Sequence, residues 1–228
     1  MALLFDPAPV PTLPVAGTDA LYPVRRIFCV GRNYADHARE MGHEPDREAP
    51  FYFLKSAAHM ARAEGTVPFP PGTDDYHHET ELAVALGAAA FEVAPAEAMG
   101  TVFGYACALD MTRRDRQVEG KAKRRPWDLG KDVEASALLG AITPAAAFGP
   151  LGAQRIEMDL DGETRQRGTL DLMIHAVPEV IADLSRFYRL GPGDLILTGT
   201  PAGVGPVRRG QTVEGRIDGC APIRVTFS

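Results

Sequence analysis

The chain lacks several features that would assign it to common functional classes. It has 3 cysteines in 228 residues, Cys29, Cys107 and Cys220, and no Cys-x-x-Cys pair, which excludes a zinc ribbon and a dithiol redox motif. Cys29 and Cys107 sit inside apolar runs and read as buried free thiols, expected in a reducing, cytoplasmic setting. Excess positive charge is also missing. The net charge of -6 argues against nucleic acid or an anionic membrane as the main partner. The one basic run, Lys121-Ala122-Lys123-Arg124-Arg125, reads as a solvated loop. No apolar run approaches membrane-spanning length. The opening residues carry no basic cluster and soon meet Pro7, Pro9, Pro11 and Pro14, so no secretory signal is expected. The glycine-rich run Gly199 to Gly205 lacks the Gly-Lys-Ser/Thr ending and the dinucleotide spacing, and no helical pattern follows it. A phosphate-binding loop and a Rossmann fold are thereby excluded. There is no internal repeat and no linker.

What is present is an ordinary globular composition, 45% hydrophobic and 24% charged, with 23 glycines and 19 prolines that imply many turns and short strands. Residues 1–24 are expected to form a proline-rich arm and residues 25–228 a single domain. Short apolar runs predict strands over 27–30, 51–55, 82–86, 103–109 and 194–198. Asp161-Gly162 predicts a hairpin within 155–167, and Asp218-Gly219 another near the end. The stripe of Val177, Val180, Ile181 and Leu184 predicts a helix over 178–190. A shorter helix is expected after Asn33, with Asn33 as N-cap, Asp36 as capping-box acid and Gly42 as the C′ residue. The predicted class is α+β, mostly β.

The chemistry concentrates in His77-His78-Glu79-Thr80-Glu81. On a strand, residues two apart share a face, so Glu79 and Glu81 project together with Cα atoms roughly 6–7 Å apart. Two carboxylates at that spacing repel, and one takes up a proton unless a cation lies between them. This points to a divalent metal site; the competing reading is a solvated edge strand with two surface acids. Asp110 ends an apolar strand and is either a third ligand or a helix N-cap. His37 and Glu40 share a helical face three residues apart. A carboxylate so placed orients a histidine and raises its basicity, as a general base requires, although surface pairs of this kind are common. The charged loop from Gly42 to Pro50 would make this helix part of a lid.

Five runs, in order, resemble the fumarylacetoacetate hydrolase superfamily: Val30 to His37, His78 to Leu82, Gly104 to Asp110, Gly130-Lys131, and Leu197 to Gly205. The resemblance runs from about residue 25 to the end. It implies a rolled, mostly β mixed-sheet body, commonly dimeric, and therefore a homodimer here. It also implies cleavage of an acylpyruvate, fumarylpyruvate in particular, so the expected partner is a small 2-oxo acid. It assigns Glu79, Glu81 and Asp110 to the metal, His37 and Glu40 to the catalytic pair of the lid, and Lys131 to oxyanion stabilisation. Gln117 would orient the substrate and Thr200 would bind its carboxylate. An all-oxygen donor set favours Mg²⁺ or Mn²⁺ over zinc. If the substrate carries a far carboxylate, Arg32, Arg113, Arg114 and Arg124 are the candidates to hold it. Oxaloacetate decarboxylation, hydroxymuconate-type isomerisation and non-catalytic binding of a 2-oxo acid are the competing expectations. The chain departs from the family pattern at Ser56, at Val133-Glu134 and at the turn Asp218 to Pro222. The first two departures are expected near the pocket.

Overall fold

The computed structural model describes residues 3–42 and 48–228. Residues 43–47, within the stretch expected to form the lid loop, lie outside them. In chain order the elements begin with β1 (Thr12–Pro14), β2 (Leu21–Pro23), β3 (Arg26–Gly31), α1 (Ala35–Glu40), β4 (Phe51–Lys55), β5 (Met60–Arg62) and β6 (Thr66–Val67). There follow β7 (Tyr76–His78), β8 (Thr80–Leu86), α2 (Pro95–Ala98), β9 (Val102–Asp110), β10 (Thr112–Arg113), α3 (Arg114–Ala122) and α4 (Asp128–Lys131). Then come β11 (Ala137–Leu139), β12 (Thr143–Pro144), α5 (Ala145–Phe148), β13 (Arg155–Leu160), β14 (Glu163–Thr169) and α6 (Val177–Ser185). The chain ends with β15 (Asp194–Leu197), β16 (Gly205–Val207), β17 (Thr212–Ile217) and β18 (Ile223–Phe227).

An eight-stranded sheet in the order β4-β3-β15-β8-β9-β11-β5, with β12 added beside β9, is the centre of the molecule. It is mixed: β3 runs parallel to β15 and β5 to β11, while β15, β8, β9 and β11 alternate in direction. A second sheet, β14-β13-β17-β18-β6, joins it through a shared apolar core. The architecture is α+β, mostly β, with a curled mixed sheet, as the sequence predicts.

Period-two alternation decides what each face of the large sheet meets. Phe28 and Val30 of β3, Leu82, Val84 and Leu86 of β8, and Tyr105, Cys107 and Leu109 of β9 enter the core shared with the second sheet and α6. Their neighbours Ile27 and Cys29, Ala83 and Ala85, and Ala106 and Ala108 face the other way. Those alanines leave a shallow surface, and the β1–β2 hairpin fills it with Leu13, Val15 and Tyr22. Glu81 and Asp110 continue the same alternation on this alanine face, beyond the hairpin.

Several elements differ in detail from expectation. The strand through 77–86 breaks at Glu79, because β7 pairs with β10 and β16 while β8 pairs with β15 and β9. The helix predicted over 178–190 stops at Ser185, since Leu190 leaves to exchange backbone hydrogen bonds with Ala90 at 2.9 and 3.1 Å. Asn33 does not cap α1, whose N-cap is Tyr34 without a side-chain bond. Its amide instead donates to the carbonyls of Thr198 (2.8 Å) and His175 (3.0 Å) and accepts from the His175 N–H (2.8 Å). Gly42 does close the helix in the left-handed conformation, φ +77°. Asp161 and Gly162 both have positive φ, as a type I′ hairpin turn requires. Among the described residues no helix is long and apolar enough to cross a membrane.

Candidate metal and active site

The β8–β9 register sets the acids side by side. Glu81 lies opposite Ala108, and the Asp110 N–H donates to the Glu79 carbonyl at 2.8 Å, so all three acids belong to one face. One carboxylate oxygen from each of Glu79, Glu81 and Asp110 lies within 4.8 Å of the others. The three residues are buried, at 5%, 2% and 0% exposure, so the solvated edge-strand reading does not hold. Asp110 is no N-cap either, since α3 begins at Arg114 after Arg113.

Burial of acids demands compensation. Lys131, delivered by the single turn of α4, donates to Glu79 Oε2 and Asp110 Oδ2, both at 2.7 Å. Lys55, at the end of β4, lies 2.9 Å from Asp110 Oδ1 and also donates to the Met111 carbonyl (3.0 Å), Ser136 Oγ (2.9 Å) and the Lys131 carbonyl. Arg114 pairs with Glu79 Oε1 and donates to Gln117 Oε1 at 2.6 Å. Glu81 alone has no cationic partner among the described residues; its Oε2 accepts only the Gly199 N–H, at 2.7 Å. Burial, then the charges of Asp110 and Glu79, push its carboxyl well above the ordinary range. Burial opposes ionisation of Glu79 too, but there Lys131 and Arg114 prevail and hold the carboxyl low. A buried acid beside two others, lacking a counter-charge, needs either a proton or a cation. An all-carboxylate donor set fits a hard divalent ion such as Mg²⁺ or Mn²⁺.

His37 opens into the same pocket as the three acids, whose wall also holds Gln117, Lys131 and Thr200. It is 7% exposed, and burial lowers its pKa below 6.5 despite the opposing pull of Glu79 and Glu40, so the ring is neutral near pH 7. Its Nδ1 lies 3.3 Å from Glu40 Oε2, and both Glu40 oxygens accept the Gly203 N–H at 3.1 Å. Gly203 is required there. Its φ is +97°, and a β-carbon would fall 1.9 Å from the Arg165 carbonyl oxygen.

Gln117 is buried in the pocket wall. With its Oε1 taken by Arg114, its side-chain amide donor has no partner among the described residues. The Thr200 hydroxyl also lines the pocket, but it donates to the Thr80 carbonyl at 2.8 Å and accepts from Gln166 Nε2 at 2.7 Å. Of the four candidate arginines, Arg32 and Arg114 line the pocket, Arg113 donates to the Leu129 carbonyl (3.4 Å), and Arg124 is exposed.

Sequence reasoning missed three contributors. Lys55 closes the strand predicted over 51–55 with nothing local to mark it for the site, and its burial is the product of tertiary structure. Gln166 carried no local signal; fully buried, it accepts from the Thr80 N–H at 3.0 Å, contacts His78 Nδ1 at 3.2 Å and donates to the Pro201 carbonyl at 2.9 Å, tying β8 to the glycine-rich loop. Lys121 is not part of a solvated loop: it ends the last turn of α3 and lines the pocket. Conversely, Ser56, Val133 and Glu134 do not line the pocket. Asp132 accepts the Ser56 N–H at 2.8 Å and pairs with His59 at 2.7 Å behind it, and the Glu134 side chain is 78% exposed.

A family model described as fumarylacetoacetate (FAA) hydrolase C-terminal matches residues 26–228. A fumarylpyruvate hydrolase of Ralstonia sp is 44% identical over 188 residues, spanning 82% of this chain and 97% of the relative. The mitochondrial oxaloacetate tautomerase FAHD1 of Arabidopsis thaliana is 40% identical over 199 residues, 87% of this chain and 89% of the relative. Among solved structures, fumarylpyruvate hydrolase from Pseudomonas aeruginosa in complex with Mn²⁺ and pyruvate is similar with a TM-score of 0.95, 44% identity and 99% coverage of both chains. On fold, sequence and extent of the match together, the chain belongs to the fumarylacetoacetate hydrolase family.

Proposed function

We propose that this protein is a divalent-cation-dependent hydrolase that cleaves the carbon–carbon bond of an acylpyruvate, with fumarylpyruvate as substrate and fumarate and pyruvate as products. The observation that carries the reading is one pocket holding both an all-carboxylate ion site and a buried neutral histidine backed by a carboxylate. The named activity of the Ralstonia relative and the Mn²⁺ and pyruvate of the Pseudomonas structure support it.

Glu79, Glu81 and Asp110 would hold Mg²⁺ or Mn²⁺. Such an ion supplies Lewis acidity to the 1-carboxylate and 2-oxo oxygens of the substrate and offsets the charge of the departing enolate. His37 takes a proton from the water that attacks the distal carbonyl, and Glu40 fixes the ring and stabilises its charged form. Lys131 donates to developing oxyanion charge once it turns from its acid partners. The free amide donor of Gln117 orients the substrate. Thr200 contributes through a hydroxyl that must first release the Thr80 carbonyl. The water oxygen joins the acyl carbon, the bond to the methylene carbon breaks, and that carbon gains a proton to give pyruvate. Buried Cys29 and Cys107 support a cytoplasmic setting, and the family resemblance supports a homodimer.

A second reading has a specific support: the Arabidopsis relative is named for oxaloacetate chemistry at nearly the same identity. Tautomerisation or decarboxylation of oxaloacetate passes through a similar enolate. Purified protein with Mn²⁺ or Mg²⁺ is to be assayed on fumarylpyruvate, acetylpyruvate and oxaloacetate. The expected order puts fumarylpyruvate first; fastest turnover of oxaloacetate overturns the hydrolase reading.

A further inference from the structure

Among the described residues four lysines and arginines line the pocket, and they divide into two pairs. Arg114 and Lys131 are engaged by Glu79, Asp110 and Gln117. Arg32 and Lys121 have no ion pair or hydrogen bond to any described residue. Each instead lies over an aromatic ring. The Arg32 guanidinium carbon is 5.4 Å from the centre of Phe51, and Lys121 Nζ is 4.9 Å from the centre of Trp127. The two rings meet edge to face, 5.3 Å apart at 88°, so the cations rest on one aromatic support.

We infer that Arg32 and Lys121 form a two-cation clamp for a second carboxylate at the far end of the substrate, selecting 2-oxo acids that are dianions. The inference rests on the 2-oxo acid reading of the pocket and is independent of which reaction follows. Three observations support it. The acids of the ion site are already matched by Lys131, Lys55 and Arg114, apart from Glu81, so among the described residues Arg32 and Lys121 have no acid bonded to them, Glu48 acting on Arg32 through its charge alone. Burial, followed by the nearby charges of Arg114 and Arg32 and against the weaker pull of Glu79, lowers the Lys121 ammonium to about 8, as expected of a cation crowded by other cations. Arg32 is held at φ +57°, a conformation disfavoured for a residue with a side chain and one that collects at functional positions. An incoming carboxylate would relieve the crowding and receive charge-assisted hydrogen bonds from both groups.

The test uses two seven-carbon probes that lack the cleavable 4-oxo group: 2-oxoheptanedioate, with a far carboxylate, and 2-oxoheptanoate, with a methyl in its place. Each is titrated calorimetrically into the full-length protein loaded with Mn²⁺. The wild type should bind the dioate roughly 10–100-fold more tightly. Lys121→Met and Arg32→Gln should each reduce that ratio about tenfold, the double variant should abolish it, and Lys121→Arg should restore most of it. Equal binding of the two probes by the wild type overturns the clamp alone, as does a ratio that survives both substitutions. Binding of neither probe overturns the 2-oxo acid reading, and the clamp falls with it.

Discussion

β8 and β15 are neighbours in the large sheet, and each is associated with a buried acid at an opposite end. Asp194, at the start of β15, is saturated with partners. Arg25 donates to it at 3.0 and 2.8 Å, Arg26 at 2.9 and 2.6 Å, and the Gly191 N–H at 2.9 Å. Burial opposes ionisation there, yet the two arginines and the backbone donor hold the carboxyl below its ordinary range. Glu81, at the start of β8, receives one N–H and faces two other acids, and its carboxyl is pushed up. The first charge is compensated within the chain and belongs to the fold. The second lacks such compensation among the described residues, and under the proposed function it is the one an added cation would complete.

The sharpest break of that comparison is Glu81→Gln. Turnover should fall by about 10³-fold or more, because the Lewis acid is lost with its ligand. Mn²⁺ at a hundred times its dissociation constant should stabilise the wild type by about 2.7 kcal/mol, raising Tm by roughly 5–10 °C. The variant should show no such shift, while its metal-free Tm should equal or exceed that of the wild type. A retained Mn²⁺ shift would take Glu81 out of the ion site.

Lys131→Ala should lower turnover by about 10²–10³-fold. It also leaves Glu79 and Asp110 without their shared ammonium, so the metal-free variant should melt earlier, and Mn²⁺ should restore its Tm without restoring its rate. Unchanged turnover would remove the lysine from the scheme. At the other end of the sheet, Asp194→Asn should destabilise the protein by about 2–4 kcal/mol, through lost charge-assisted hydrogen bonds to two arginines. The Mn²⁺ shift should persist. A smaller shift in this variant would mean that the two ends of the sheet are coupled.

Much of this contrast was legible in the sequence, on one side only. Period two puts Glu79 and Glu81 on one face and helical spacing pairs His37 with Glu40, because those geometries are local; Asp110 comes beside the acids only through β8–β9 pairing, and its local context leaves it open between ligand and N-cap until the family resemblance joins it to them. Lys55, Gln166 and Lys121 were not legible, because their roles depend on where distant strands and helices place them. The same limit explains Asn33. Its local context predicts a helix cap, but the loop after β15 and the His175 backbone offer three hydrogen bonds in place of one. Gly199 accommodates that arrangement, since a β-carbon on it would lie 2.8 Å from Asn33 Cβ. Strand positions were read well because apolar runs mark them. The end of α6 was not, because Ala90, far earlier in the chain, captures Leu190.

The smallest effect concerns the proton. Burial places the His37 pKa below 6.5, so the base is available throughout the neutral range, and kcat/KM should fall only on acidification, about tenfold per pH unit beneath that pKa. Glu40 works against burial by favouring the charged ring. Removing its carboxylate in Glu40→Gln should therefore move the acid limb to lower pH and, by weakening the base, reduce the plateau several-fold. Glu40 also accepts the Gly203 N–H, and a glutamine oxygen preserves that contact, so the loop should stay in place. A limb that moves to higher pH would show that Glu40 does not stabilise the protonated ring. The proton taken from water would then have to be carried by a group other than this pair.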